Sequence, residues 1–307
     1  MNSFGFSQRA LVVFIAGALL AGCGQTPLPS NVPQIERNGA GGWSWVRPEA
    51  KTGSLLYVSD GSASVYIYSY PQLKLTGTLK GFSQPLGECV NKNGDVWIAN
   101  FGAQEMDEYA HGSTKRMATL KTEADHTPYG CSVNSKTNDL AVSTWRGGTG
   151  PGYLSIYKQS KGTPKTYSDS AFVYALFPGY DAKGNVFLDG IASGSAFRYA
   201  ELPSGKTKLV AVSLKQSIGY PGEVQFDGKY VAVGDQTARA IYQTTGGKVN
   251  GTTTLGGSGT LYGYFIAGKT VFGVDAYGLG VYSYPGGGSP TSSVSIAHPF
   301  GVVLSTK

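Results

Sequence analysis

Five short side chains bearing oxygen recur at one place in a repeating pattern. Asp60, Asn100, Asp235 and Asp275 each stand just after an apolar run, and Asp189 lies one place early. Gathered on one rim, such oxygens could hold a hard cation such as Ca²⁺. Asp and Asn at these positions also do something simpler, accepting hydrogen bonds from the backbone of their own turns. Recurrence favours the turn role, because a dedicated ion site would be asymmetric. The expectation is therefore no cofactor, with Ca²⁺ as the alternative. The chain has three histidines for acid–base chemistry near neutral pH. His126 and His298 precede Pro-led strands, and His111 falls in the turn Tyr109-Ala-His-Gly112. None has an identifiable acid or base partner, so solvated or capping roles are expected for all three.

The elements that must position these residues are set by a repeated tyrosine. Tyr68, Tyr109, Tyr157, Tyr199, Tyr242 and Tyr282 are spaced by 41, 48, 42, 43 and 40 residues, each ending a short run that reads as a strand. A period of that length built from short strands means a propeller or an array. Each unit reads as four strands: a Pro/Gly-led first strand (Pro85 to Val90, Pro128 to Val133), a turn such as Lys92-Asn-Gly-Asp95, an apolar second strand, a third strand ending in the tyrosine, and a more polar fourth. The fold class is all-β, a six-bladed β-propeller with four antiparallel strands per blade. The first unit lacks its own first strand, and the C-terminus carries a spare one in Pro299 to Ser305. Pairing of that segment with Leu55 to Ser59 would close the ring and remove its open edges.

In such a ring the first strands line a central channel, and the second-to-third loops meet the fourth-to-first connections at one mouth. Asp60, Asn100, Asp235, Asp275, His126 and His298 are expected at that mouth, with Trp145, Arg146 and Tyr220. An aromatic and Arg-bearing rim suits a carbohydrate, peptide or protein ligand. Cys89 and Cys131 lie in first strands of adjacent blades, close enough for a disulfide if the α-carbons stand ~4.4–6.8 Å apart. Two free core thiols are the other reading.

The stretch Pro85 to Asn100, with its Asn-Gly-Asp-Val-Trp-Ile-Ala-Asn segment, resembles the NHL-repeat and streptogramin-lyase-like six-bladed propellers, and more distantly the gluconolactonase group. The resemblance spans about residues 50 to 305. It implies architecture more than activity, because propellers host enzymes, adaptors and scaffolds alike. Likeness to the gluconolactonase group would imply a metal set of Glu88, Asn100, Glu223 and Asp235, and so a metal-dependent lactonase or lyase. Streptogramin-lyase-like enzymes use a histidine with a divalent ion, and neither His126 nor His298 aligns with that motif.

Residues 1–22 read as an export signal: Arg9, an apolar run of twelve residues from Ala10 to Ala21, then Leu20-Ala-Gly-Cys23. The run is too short to span a bilayer. The tetrapeptide resembles a bacterial lipobox, which implies lipid on Cys23. By the same resemblance, Gly24 after the lipid site implies the outer membrane, facing the periplasm or the cell surface. Residues 23–42, with Pro27, Pro29, Pro33 and Gly39-Ala-Gly-Gly42, read as a flexible tether, and residues 43–307 as the propeller. The net charge of +6 is carried by scattered bases and no nucleic-acid motif is present. Together these imply an envelope-anchored, monomeric binding module, with the metal-dependent enzyme as the alternative. Mass spectrometry of the membrane fraction should find an acylated Cys23, and Cys23→Ser should release the protein. An equally membrane-bound Cys23→Ser form would contradict the lipid anchor.

Overall fold

The computed structural model describes residues 36–37, 43–146 and 150–307. The export signal, the lipid site Cys23 and all of the tether except Glu36–Arg37 lie outside the described residues. The described chain is a ring of six antiparallel sheets, and its helical content is confined to 3-10 turns. Five blades are continuous in sequence, from Pro85–Val90 through Arg116–Lys121 in the second blade to Leu261–Ala267 through Gly287–Ser295 in the sixth.

The first blade is closed as expected. Val302–Ser305 forms its inner strand, with Val302 opposite Val58 and Ser305 opposite Leu55. Ser54–Ser59, Ser64–Tyr70 and Leu75–Lys80 follow outward. Trp43–Val46 adds a fifth strand against Leu75–Lys80, and Glu36–Arg37 pairs outside it. This is where the chain after the polar N-terminal stretch docks.

The repeat tyrosines are all buried. Tyr68, Tyr109, Tyr157 and Tyr282 pack against the preceding blade. Tyr157 also donates its hydroxyl to the Lys121 carbonyl of the second blade, 3.1 Å away. Tyr199 differs and faces Val231 and Val233 of the fifth blade. A large ring with a polar tip suits this role, filling the space between sheets while reaching a backbone acceptor.

The inner strands meet through glycine. A Cβ on Gly87 would stand 2.7 Å from the Tyr129 carbonyl, one on Gly130 2.6 Å from the Leu176 carbonyl, and one on Gly263 2.7 Å from the Phe300 carbonyl. Gly179 abuts the Val224 carbonyl and Gly301 the Leu86 carbonyl in the same way. Each contact joins one inner strand to the next around the ring. Between the fifth and sixth blades the arrangement changes: the Tyr264 ring lies over Gly234, and its hydroxyl donates to the Glu223 carbonyl at 2.8 Å. The pairing of first with second strand slips at this level in every blade from the second to the sixth. Such bulges re-aim the residues that follow.

His111 is a correction. It is buried, not solvated. Its Nε2–H donates to the Gly53 carbonyl at 2.9 Å and its Nδ1 pairs with Ser305 Oγ at 2.5 Å, fastening a turn of the second blade onto the closing strand. The short loop between third and fourth strands reaches sideways here, so the ring is enclosed by the neighbouring blade.

Gly130→Ala should destabilise the domain by about 1–3 kcal/mol, the usual cost of overpacking. Gly53→Ala, whose Cβ would meet nothing within 4 Å, should be near neutral or slightly stabilising. Chemical denaturation of both variants checks this. Equal effects would mean the glycine contacts do not hold the inner ring together.

Candidate functional site

The two ends of the channel are chemically different. One end carries the second-to-third loops and the fourth-to-first connections, and is the loop face. The other carries the first-to-second hairpin turns, and is the turn face.

On the loop face four of the five expected rim residues, all but Asp189, are spent on nearby backbone and side chains. Asp60 Oδ1 accepts from the N–H groups of Ser62, Ala63 and Ser64 at 2.8–2.9 Å. Asn100 accepts from Ser83 N–H at 2.8 Å and donates to Asp107 at 3.0 Å. Asp235 accepts from Gly219, Thr237 and Ala238 at 2.8, 3.0 and 3.1 Å. Asp275 accepts from Tyr277 N–H at 2.9 Å and pairs with Arg239 at 3.0 Å. The set Glu88, Asn100, Glu223 and Asp235 does not come together. Asn100 and Asp235 hold loops, while Glu88 and Glu223 sit deeper on the inner strands. Among the described residues no group of three or more His, Cys, Asp or Glu is arranged to hold a metal ion.

Aromatic rings fill the loop-face end of the channel. Tyr129 lies 5.5 Å from Phe300 and 5.4 Å from Phe177, centroid to centroid. Trp145 packs edge-on against Tyr174 at 4.7 Å and Phe101 at 5.6 Å. Trp145 is thus half-buried in this cluster, while Arg146, Tyr220 and His298 are exposed. His126 is another correction. It is neither solvated nor capping but buried, stacked on Tyr153 at 4.3 Å, with Glu123 3.6 Å from its Nδ1. Desolvation lowers its pKa below the ordinary histidine value.

The cavity lies toward the turn face, opposite the mouth expected from the sequence. It measures about 310 Å³. Glu88, Cys131, Tyr180, Glu223, Tyr264 and Val302 ring it, one from each blade. Each directly follows an inner-strand glycine, so the bulge that brings the strands together also presents this residue to the cavity. Lys136, Asp181 and Ala182 stand at its mouth, where the Lys136 ammonium donates to the Ala182 carbonyl at 2.6 Å. The Cys89–Cys131 disulfide forms part of the wall, with α-carbons 5.7 Å apart. It ties the second blade to the third across 42 residues of chain, worth on the order of 4 kcal/mol in the chain-entropy picture.

Two of the six ring positions are acids. Glu88 is 7% exposed, and neither carboxyl oxygen has a hydrogen-bond partner of ordinary geometry. The nearby Ser59 hydroxyl is committed to the Leu86 carbonyl and accepts from Gly301 N–H at 2.9 Å. Burial pushes the Glu88 carboxyl well above the usual carboxylate range, against some relief from Ser59 and with a further push from Glu223. Glu223 keeps part of its surface open, and desolvation lifts it to about 8. Asp189, fully buried on the second strand of the fourth blade, accepts from Phe177 N–H at 3.2 Å through one oxygen and has no partner for the other. Burial raises it too. A carboxyl without donors is costly when ionised in such surroundings, which is why burial raises Glu88 and Asp189. The Gly-plus-one ring was readable only by comparing the six units at that offset, where the sequence runs Glu, Cys, Tyr, Glu, Tyr, Val.

No family model matches the sequence, and no curated protein matches it in sequence. Solved structures do share its fold. A nidogen/laminin complex contains a chain matched with a TM-score of 0.68 at 10% identity, over 82% of this chain and 98% of that one. A protein of unknown function from Bacteroides caccae matches with a TM-score of 0.63 at 8% identity, over 83% and 100%. A streptogramin B lyase matches with a TM-score of 0.52 at 12% identity, over 79% and 73%. At these identities the likeness establishes the propeller architecture alone.

The buried carboxyls give a signed pH dependence. For Glu223 the folded pKa of about 8 lies above the ordinary 4.5, so the folded state holds a proton that the unfolded chain has lost between those values. Its contribution is full below the ordinary value and is lost as pH rises through the folded one. Glu88 and Asp189 act in the same sense. Stability should therefore fall from about pH 5 to pH 8, and Glu223→Gln should flatten that slope. Denaturant titrations across this range measure it. Stability that rises with pH, or a slope unchanged in Glu223→Gln, would contradict the burial argument.

Proposed function

We infer that this protein is an envelope-anchored binding module that takes a small ligand into the channel through the turn face. The observation that carries this reading is the contrast between the two ends. Asp60, Asp235 and Asp275 on the loop-face rim are satisfied by their own turns, whereas neither oxygen of Glu88 has a hydrogen-bond partner of ordinary geometry. A buried polar group left unpaired calls for an explanation, and a bound ligand is one. The cavity is at the small end of ligand sites, which run roughly 300–1,000 Å³.

A catalytic reading has one observation in its favour: the Glu223 carboxyl, lifted to about 8, could serve as a general acid. The architecture accommodates either reading, since its neighbours include a nidogen/laminin complex and a streptogramin B lyase. Binding is preferred because a donor-starved carboxyl needs only a ligand, whereas the metal set implied by the gluconolactonase group does not assemble.

The test is a thermal-shift screen of small polar and amphiphilic compounds on the purified mature protein, its Val133→Phe form and its Tyr220→Ala form. Val133 lines the cavity and Tyr220 is exposed at 41% on the opposite face. Compounds that stabilise the wild type should lose their effect in Val133→Phe and keep it in Tyr220→Ala. The reverse pattern, or no stabilising compound, would overturn the cavity reading.

A further inference from the structure

The arrangement of the six ring positions narrows the ligand, on the premise that the cavity is a binding site. Glu88 belongs to the second blade and Glu223 to the fifth, three blades apart in a ring of six, so they stand on opposite walls. The other ring positions are Cys131, Tyr180, Tyr264 and Val302, none of them basic. The cationic side chain lining the mouth, Lys136, is occupied by the Ala182 carbonyl and has Asp181 beside it. Val90, Val133, Phe226 and Phe265 supply apolar surface.

We propose that the cavity binds a primary ammonium group carrying a small apolar substituent, with the ammonium between Glu88 and Glu223 and the substituent against the valine and phenylalanine walls. Glu88 lacks donors, and an ammonium brings three. An anion would meet two acids on opposite walls and no free base at the ring. A calcium ion wants six to eight oxygen ligands, and among the described residues no group of three or more His, Cys, Asp or Glu is arranged to hold a metal ion.

The chemistry also fixes a proton count. In the empty cavity burial disfavours the ionised form of both carboxyls. A bound ammonium favours the ionised form, so binding releases protons to solvent. The groups facing Glu88 are Ser59 and Glu223. Those coupled to Glu223 are Glu88, Asp189, Tyr129 and Tyr264. None of these is a base that would take up the released proton. Affinity for an amine should therefore rise with pH across the neutral range, until the amine itself deprotonates.

The test is calorimetry of the purified mature protein with benzylamine, its uncharged match benzyl alcohol, and Ca²⁺, in two buffers of different ionisation heat. Benzylamine should bind with a heat that differs between buffers in the sense of proton release, and benzyl alcohol should not bind. Glu88→Gln and Glu223→Gln should each weaken benzylamine by roughly tenfold or more, the usual loss for a hydrogen bond to a charged group. Tyr220→Ala should leave it unchanged, and denaturation curves of both Glu→Gln forms confirm folding. Equal binding of the alcohol, tighter binding of Ca²⁺, buffer-independent heat, or full affinity in both Glu→Gln forms would overturn the proposal. If benzylamine fails while neutral compounds from the screen bind in a Val133-dependent way, the cavity reading stands and the ammonium falls. If nothing binds, both fall.

Discussion

The inner ring depends on one steric constraint: five successive inner strands touch the next through a glycine set against a backbone carbonyl. No other residue fits, because a Cβ would stand nearer to the carbonyl oxygen than van der Waals contact allows. This close approach lets six sheets converge on a narrow axis while their outer edges stay apart. The exception, where the Tyr264 ring lies over Gly234, shows that an aromatic side chain can stand in for the contact. Its hydroxyl must then find a partner, and the Glu223 carbonyl provides one. The rest of the ring follows from this convergence: the bulges beside the glycines, the disulfide between neighbouring inner strands, and the interblade packing of the repeat tyrosines.

The same constraint creates the site. A strand pinned at its glycine must turn the next residue toward the axis, so one position per blade becomes the cavity lining. These positions carry little of the fold, which leaves their chemistry free to vary. Two acids, two tyrosines, a disulfide cysteine and a valine stand where strict symmetry would put one residue type. On the loop face the opposite holds. Asp60, Asn100, Asp235 and Asp275 repeat because each holds a loop or connection of its blade. In a symmetric fold, repetition marks structure and departure from repetition marks function.

The architecture was legible because its signals are local and repeated. The tyrosine period, the turn dipeptides and the spare Pro299 to Ser305 strand all gave the ring and its closure, and the adjacent first-strand cysteines gave the disulfide. The site was not legible, for two physical reasons. Which mouth opens depends on how rings from several blades pack at the axis, and Trp145, Tyr129 and Phe300 filled the end that loop positions alone suggested. Burial of single groups is also a tertiary property. His111 and His126 sit in polar, turn-like sequence, yet one is enclosed by the closing strand and the other by Tyr153. Glu88 and Glu223 drew notice only through resemblance to metal-binding relatives, whereas their importance lies in their opposed placement and in the donors Glu88 lacks.

The central claim is that Glu88 and Glu223 line one cavity and that burial there raises both carboxyls. The most direct measurement is a carbon-detected NMR titration of the glutamate side-chain carboxyls, with Glu88 and Glu223 assigned through their Gln variants. The account predicts that both titrate above the usual carboxylate range, Glu223 near 8, and that replacing either one shifts the other downward. Ordinary titration of both near 4.5, independent of one another, would contradict it.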